Sequence, residues 1–104
     1  SSVAKEYYLS ALLLEKRLLE FKESLYGLND SIDVDNLPKH YREALVLYSG
    51  IDSAYVPEFA DDSVVQSFDS LRNTELEHDD FVVRSNMVRK SYGRTYWWYY
   101  LYGY

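Results

Sequence analysis

YLSALLL at residues 8–14 and YREALVL at residues 41–47 share the pattern Tyr-x-x-Ala-Leu-aliphatic-Leu. Each copy is followed by a second apolar segment of helical spacing, at residues 18–25 and 64–71. Recurring helix pairs are typical of repeat architectures, in which each unit buries one face against the next. We therefore predict an all-α fold of antiparallel helix pairs, about five to six helices in number, with Ala11 and Ala44 at equivalent close-packed positions.

The scarcity of turn-forming residues supports this prediction. The chain of 104 residues contains only 4 glycines and 2 prolines, too few for the many tight turns of a sandwich or barrel. Its length fits one domain, which we divide into repeat one (residues 3–28), repeat two (37–73) and C-terminal capping helices (81–102). Because the chain begins Ser1-Ser2-Val3 without an initiator methionine, we expect it to be a fragment of a longer protein.

The first segment, residues 3–28, has two interpretations. Its apolar residues recur at three- and four-residue steps, which would place them on one stripe of a long helix. The charged residues 15–17 could instead form a tight turn between two antiparallel helices, and the repeat favours this hairpin, broken near Lys16. The proposed stripe consists of Tyr7, Ala11, Leu14, Leu18, Phe21, Leu25 and Leu28.

Local signals place the later helices. Pro38 suits the first position of a helix. Asp62 or Ser63 can cap the next helix, and Gly93 can end the one after it. The apolar face of the helix that follows Ser63 consists of Val64, Val65, Phe68 and Leu71. Residues 95–102 could form a helix or a strand, and we favour a helix capped by Thr95. The predicted helices are 38–49, 63–72, 81–92 and 95–102, and they are separated by an irregular connection at 51–62 and a loop at 73–80.

Two resemblances follow from these segments. The aromatic-Ala helix pairs resemble degenerate tetratricopeptide repeats, although the glycine usual after the first helix's aromatic residue is missing from both copies, which argues against an ordinary peptide groove. LPKHYREAL at residues 37–45 and TYWWYY at 95–100 resemble the C-terminal region of an uncharacterised family of bacterial multi-pass membrane proteins. That resemblance implies a tetratricopeptide-like soluble domain beside a membrane, without an assigned activity. We favour the periplasmic side, with the cytoplasm as the alternative.

Catalytic and metal-binding motifs do not emerge from the sequence. His40 and His78 lack metal-ligand spacing, and the chain has no cysteine to assist them. Asp30, Asp33 and Asp35 lack the glycine and the terminal glutamate of a calcium loop. We therefore expect no enzyme activity, no cofactor and no metal. The net charge of −6 also disfavours nucleic acid as a partner.

The C-terminal segment is unusually aromatic, because nine of residues 92–104 are Tyr, Trp or Leu. Trp97, Tyr100, Leu101 and Tyr104 would form one helical face that closes the repeat stack, and we favour this structural interpretation. The alternatives are a belt at a membrane interface and a platform that binds a ligand. The candidate binding surface comprises Tyr96, Trp98, Tyr99 and Tyr102.

These observations predict a non-enzymatic helical-repeat interaction domain of a membrane-associated bacterial protein, with an unidentified protein as its partner. The alternative is an aromatic-lined domain that binds a small ligand such as a glycan. The sequence does not define the oligomeric state.

Overall fold

Six α-helices and one short 3-10 helix account for the regular structure in a computed structural model that describes residues 2–28 and 32–103. No strand occurs within these two ranges. The all-α prediction is therefore confirmed. The helices are α1 (Ser2–Leu14), α2 (Leu18–Leu28), α3 (Lys39–Ser49), α4 (Ser63–Glu77), α5 (Phe81–Tyr92) and α6 (Tyr96–Tyr102), and the 3-10 helix is Val34–Asn36.

The break near Lys16 is confirmed. Lys16 has a φ of 60°, a left-handed conformation that cannot continue a right-handed helix and that favours a tight turn. Helices α1 and α2 consequently pack against each other as a hairpin. Lys16 is thus the residue that separates the two helices of the first pair.

The predicted stripe is wrong for α1. Tyr7, Ala11 and Leu14 are exposed, and the core instead takes Leu9, Leu12 and Leu13 from this helix. In one continuous helix the stripe would have stayed in register with Leu18, but the turn lets α1 rotate independently of α2. Because α1 is rich in leucine over two faces, either face could have supplied the core.

Ala11 and Ala44 are not equivalent. Ala44 is fully buried in the middle of α3, whereas Ala11 lies on the exposed face of α1. The prediction that both occupy a close-packed position between helices is therefore wrong. The similar sequences of residues 8–14 and 41–47 fold into helices that face the core differently.

Helix α3 is the centre of the fold. It contacts α2, α4 and α6, and six consecutive residues from Glu43 to Tyr48 are buried. A helix buried all round must have neighbours on every side. The core includes Leu18, Phe21 and Leu25 from α2, Ala44, Leu45, Val46 and Leu47 from α3, Phe68 and Leu71 from α4, Val88 from α5, and Tyr96 and Trp97 from α6.

Most predicted boundaries agree with the structure. Helix α3 follows Pro38, α5 covers the predicted residues, and α6 is a helix whose first turn Thr95 caps by accepting a bond from the Trp98 amide at 3.2 Å. Residues 51–62 are irregular, as predicted.

One predicted loop is wrong, because α4 continues through residues 73–77. The Arg72–Glu75 ion pair, with a separation of 2.6 Å, spans one helical turn there, and a polar sequence without glycine or proline can stay helical when such pairs support it.

Candidate interaction surface

Helix α6 is held at its N-terminus by Glu43, whose side chain is buried although it is charged. Its Oε1 accepts a hydrogen bond from the Tyr96 amide at 2.9 Å and lies 2.9 Å from Nδ1 of His40. Oε2 lies 3.8 Å from Nζ of Lys39. The first amides of a helix lack partners within it, and a carboxylate at this position stabilises both the amide and the helix dipole.

The backbone of Glu43 holds α6 as well. Its carbonyl oxygen accepts a hydrogen bond from the Trp97 indole Nε1 at 2.8 Å, and the indole is 99% buried. A buried indole needs such an acceptor to offset the loss of water. One residue of α3 thus satisfies a backbone amide and a side-chain donor at the start of α6.

Helix α6 also closes the end of α1. The hydroxyls of Tyr96 and Tyr99 donate hydrogen bonds to the carbonyl oxygens of Leu13 (2.6 Å) and Leu14. In return, the ammonium group of Lys16 donates to the Gly103 carbonyl at 2.6 Å. Carbonyls in the last turn of a helix need partners outside it, so α1 and α6 cap each other.

The candidate binding surface does not form one exposed platform. Tyr96 is buried and belongs to the core, so it is not part of an exposed platform. Trp98 and Tyr102 are half-buried and stack with ring centroids 5.0 Å apart, and the Tyr102 hydroxyl donates to Glu75 of α4 at 2.6 Å. Tyr99 is half-buried, and its hydroxyl donates to the Leu14 carbonyl of α1. The predicted residues therefore contact different helices and do not share one open face.

The residues of the predicted closing face of α6 are buried to different extents. Trp97 is buried, with its ring centroid 5.1 Å from that of Phe68, while Tyr100 and Leu101 are half-buried. Trp98 is more exposed than Trp97, as the helical spacing predicted. Tyr104, the last member of the predicted face, lies outside the described residues.

The outer face of α1 is apolar and open. Val3, Tyr7 and Leu14 are 59%, 75% and 65% exposed, and they follow one another at helical spacing. Leu13 contributes to the core from the other face of the same helix. Scattered exposed apolar residues are ordinary, whereas a contiguous stripe of them is a candidate interaction site.

A groove extends this stripe toward α6. It has a volume of about 430 Å³ and lies between α1, the start of α3 and the α5–α6 turn. Ser10 also lines a smaller groove of about 240 Å³, which lies beside Val3, Glu6 and Tyr7. We call the two together the α1 groove. The walls of its larger part are Ser10, Leu13, Leu14, Pro38, His40, Tyr41, Gly93, Arg94, Thr95, Tyr96 and Tyr99.

The acidic residues that suggested a calcium loop have structural partners. Asp33 accepts a hydrogen bond from the Asp35 amide at 3.2 Å and so caps the 3-10 helix. Asp35 accepts from the amides of Ala60 and Asp61 and fixes the irregular connection. Asp30 lies outside the described residues. Within residues 2–28 and 32–103, no three His, Asp or Glu side chains are grouped as metal ligands.

The two histidines differ in position. His40 lies on the wall of the α1 groove next to Glu43, whereas His78 follows the end of α4 and its carbonyl accepts a hydrogen bond from Arg84 at 3.1 Å. Neither Glu43 nor Arg94, the cation of the groove, was predicted as a functional residue. The signal in the sequence was Glu43 itself, a charge that directly precedes the apolar run Ala44–Tyr48, because a charge buried beside such a run needs a partner.

The chain is therefore an all-α domain in which the start of the aromatic helix α6 is buried and the first helix carries an open apolar groove. The chain belongs to the family of unknown function DUF6057, whose model matches residues 1–103. Neither a curated protein nor a solved structure matches it. None of the described helices has the length and apolar character needed to cross a bilayer.

Proposed function

We propose that this chain is a non-enzymatic interaction domain of a membrane-associated bacterial protein, and that its α1 groove binds an apolar-faced helical segment of a partner protein. The observation that carries the proposal is the exposed stripe of Val3, Tyr7 and Leu14 on α1. Helical ligands dock through side chains at three- and four-residue spacing into complementary apolar surfaces.

The size of the stripe suits such a ligand. Val3 and Leu14 are separated by about 17 Å along the helix axis, at 1.5 Å per residue, which corresponds to three turns of a partner helix. Tyr7 in the middle supplies a large amphipathic ring, and buried tyrosines often dominate binding energies. Val3, Tyr7 and Leu14 make no contribution to the buried core, so their apolar character is explained by a partner better than by folding.

The absence of an enzymatic role is a proposal that rests on the groups near the groove. The carboxylate of Glu43 already binds the Tyr96 amide and lies against His40. If the Glu43 carboxylate took part in chemistry, it would have to leave the Tyr96 amide, and the N-terminus of α6 would lose this hydrogen bond. Their arrangement serves the fold, and this supports binding rather than chemistry as the task of the groove.

A display library of helical peptides would test the proposal. We expect selection on the native chain to enrich peptides with apolar residues three and four positions apart, and amide chemical shifts to change along α1. The variant Tyr7→Ser/Leu14→Ser should lose this binding, while Val82→Ser on α5, an exposed site away from the groove, should retain it. Peptides that bind both variants equally, or selection of no helical peptide, would contradict the proposal.

Association with a membrane is the less direct part of the proposal and rests on α5. Residues 81–104 contain four basic and no acidic side chains, and Val82, Val83 and Met87 are exposed on α5 together with Arg89 and Lys90. A basic helix with exposed apolar residues suits an anionic lipid surface.

Vesicles containing phosphatidylglycerol should retain the chain, and the double variant Arg89→Gln/Lys90→Gln should no longer bind to them. Equal retention by neutral vesicles would contradict this assignment.

The alternative, an aromatic-lined site for a glycan, has weaker support. Sugar platforms need open aromatic faces, but Tyr96 and Trp97 are buried. The hydroxyls of Tyr96, Tyr99 and Tyr102 all donate to acceptors within the protein. The half-buried Trp98–Tyr102 stack is the part of α6 that still favours this alternative.

A further inference from the structure

We infer that the α1 groove recognises a carboxylate on the partner's helical segment, and that Arg94 binds it at the end of the groove next to α6. This inference rests on the proposed function and adds the charge and the direction of the ligand. It follows from the distribution of charged groups around an otherwise apolar groove.

The larger part of the groove has no acidic side chain among its described wall residues, although the protein is acidic. The chain has 17 acidic and 11 basic residues, yet the described residues that line this part include no Asp or Glu, and Arg94 is the one permanent cation among them. The nearby carboxylate of Glu43 is buried and already bonded. The groove end is therefore positively charged against a negative protein, which favours an anionic partner through charge complementarity.

Arg94 is available for such a partner. It is exposed, it follows the end of α5, and no ion pair joins it to a carboxylate within the described ranges. Other arginines have partners: Arg17 pairs with Glu20, Arg72 pairs with Glu75, and Arg42 donates to the Leu37 carbonyl at 3.2 Å. A guanidinium that has no ion-pair partner among the described residues and lies beside apolar walls suits a carboxylate, which it can bind through two parallel hydrogen bonds.

His40 provides a second polar group at the same end. Glu43 holds the ring through Nδ1 at 2.9 Å, and the histidine side chain is 60% exposed at the groove. An imidazole fixed through one nitrogen presents the other in a defined direction. Glu6 lies at the opposite, smaller end, so the two ends have opposite charge and would orient a bound helix.

The test uses a designed helical peptide of about 14 residues, blocked at both ends, with leucines four, three and four residues apart. One version has a glutamate near one end, a second version has it near the other, and each has a matched form with glutamine or lysine in its place. Binding to the full chain is measured by fluorescence polarisation. The variants are Arg94→Gln and Arg94→Glu, and Arg89→Gln on α5 is the control that removes the same charge elsewhere.

We expect one glutamate peptide to bind the native chain about tenfold more tightly than its glutamine form, since a hydrogen bond to a charged group has roughly this effect. Arg94→Gln should abolish the difference, and Arg94→Glu should reverse it in favour of the lysine peptide. Arg89→Gln should leave the preference unchanged.

The remaining outcomes separate the two proposals. Peptides that bind through α1 with no preference for glutamate, or with a preference that survives Arg94→Gln, would overturn the inference and leave the interaction domain intact. Failure of every peptide to bind would overturn both. If 4-phenylbutyrate, a small apolar carboxylate, binds while no peptide does, the ligand is a free molecule and not a partner segment, and this result also overturns the inference.

Discussion

Helices α6 and α1 are both strongly apolar, but the fold uses them in opposite ways. The aromatic side chains of α6 are enclosed at its start by α3 and bonded to the end of α1. The outer stripe of α1 is left open, with Tyr7 75% exposed. Aromatic content therefore does not by itself mark an exposed surface in this domain. The surface that we propose for interaction is the apolar face of α1, which no described residue of the chain covers.

A physical reason for the difference lies in helix length. Helix α6 has 7 residues, far fewer than an isolated helix needs in water. Its large rings and hydroxyls supply the tertiary contacts that make it helical. Helix α1 has 13 residues and a hairpin partner in α2, so the core needs only one of its faces.

The largest effect should follow from removing α6. A chain that ends at Thr95 would lose the buried Trp97 and Tyr96 and expose the surfaces of α3 and α4 beneath them. We expect it to unfold or aggregate, because a domain of this size has only about 5–15 kcal/mol of stability. Circular dichroism and analytical ultracentrifugation would show this. A shortened chain that stays monomeric, helical and equally stable would contradict the claim that α6 is part of the core.

The two tryptophans of α6 should differ in how much they contribute to stability. Trp97→Ala removes a 99% buried ring and should destabilise the fold by about 3–5 kcal/mol. Trp98→Ala removes a half-buried ring and serves as the matched control, for which we expect a clearly smaller loss. Chemical denaturation measures both free energies of unfolding. Equal losses would mean that α6 is not oriented as described.

Glu43 tests whether the start of α6 depends on α3. Glu43→Ala leaves the Tyr96 amide without its acceptor and should cost about 3 kcal/mol. Glu43→Gln keeps an oxygen that can accept this bond, and we expect it to lose only about 1 kcal/mol. Thermal melts of the two variants would compare them. If Gln is as harmful as Ala, the negative charge matters more than the hydrogen bond.

Alkaline pH should weaken the contact between α6 and α1. Burial, followed by the neighbouring Tyr100 and Tyr99, raises the pKa of the Tyr96 hydroxyl above its usual range. The fold favours the neutral phenol, so its contribution is complete below the ordinary tyrosine pKa of about 10 and is lost as pH rises above that value.

Denaturation at pH of about 8 and about 11 would measure this loss. Tyr96→Phe should be about 1 kcal/mol less stable at the lower pH, since it lacks the bond to Leu13, but should lose less than the native chain at the higher pH. Tyr55, whose pKa burial also raises, accounts for part of the remaining decline. A variant with the same alkaline decline as the native chain would contradict the role given to Tyr96.

The smallest effect is expected on α1. Tyr7→Ser and Leu14→Ser change exposed positions outside the core, so each should alter stability by no more than about 0.5 kcal/mol. Leu12→Ser, in the buried face of the same helix, is the control and should be strongly destabilising. A large loss of stability in Tyr7→Ser would place this residue in the fold and remove the open groove.

The fold could be predicted from the sequence further than the site could. Gly93, Pro38 and Thr95 mark helix ends through local backbone chemistry, and the structure places the helices accordingly. The buried face of α1 could not be predicted, because residues 12–14 are three consecutive leucines that suit two faces equally. Only the angle of the turn at Lys16 decides between them.

The site depends on contacts between distant residues. Glu43 and Tyr96 are far apart in the chain, and nothing local indicates that one would cap the other. In the sequence, Arg94 is one of several basic residues near the end of α5, and nothing distinguishes it from the others. Its position on the wall of the α1 groove appears only when α1 and α3 are placed beside it. The tyrosines of α6 were predicted as a candidate surface because their composition is unusual, but tertiary hydrogen bonds determine which of them is accessible.

Hydroxyl-radical footprinting of the free chain, read by mass spectrometry, tests the central claim most directly, because it compares the two helices in one sample. We expect rapid oxidation of Tyr7 and Leu14 on α1, because both side chains are exposed. We expect protection of Trp97 and Tyr96 on α6, because both are buried. Tryptophan is at least as reactive as tyrosine toward the radical, so protection of Trp97 would reflect burial. Rapid oxidation of Trp97 together with protection of Tyr7 would contradict the account.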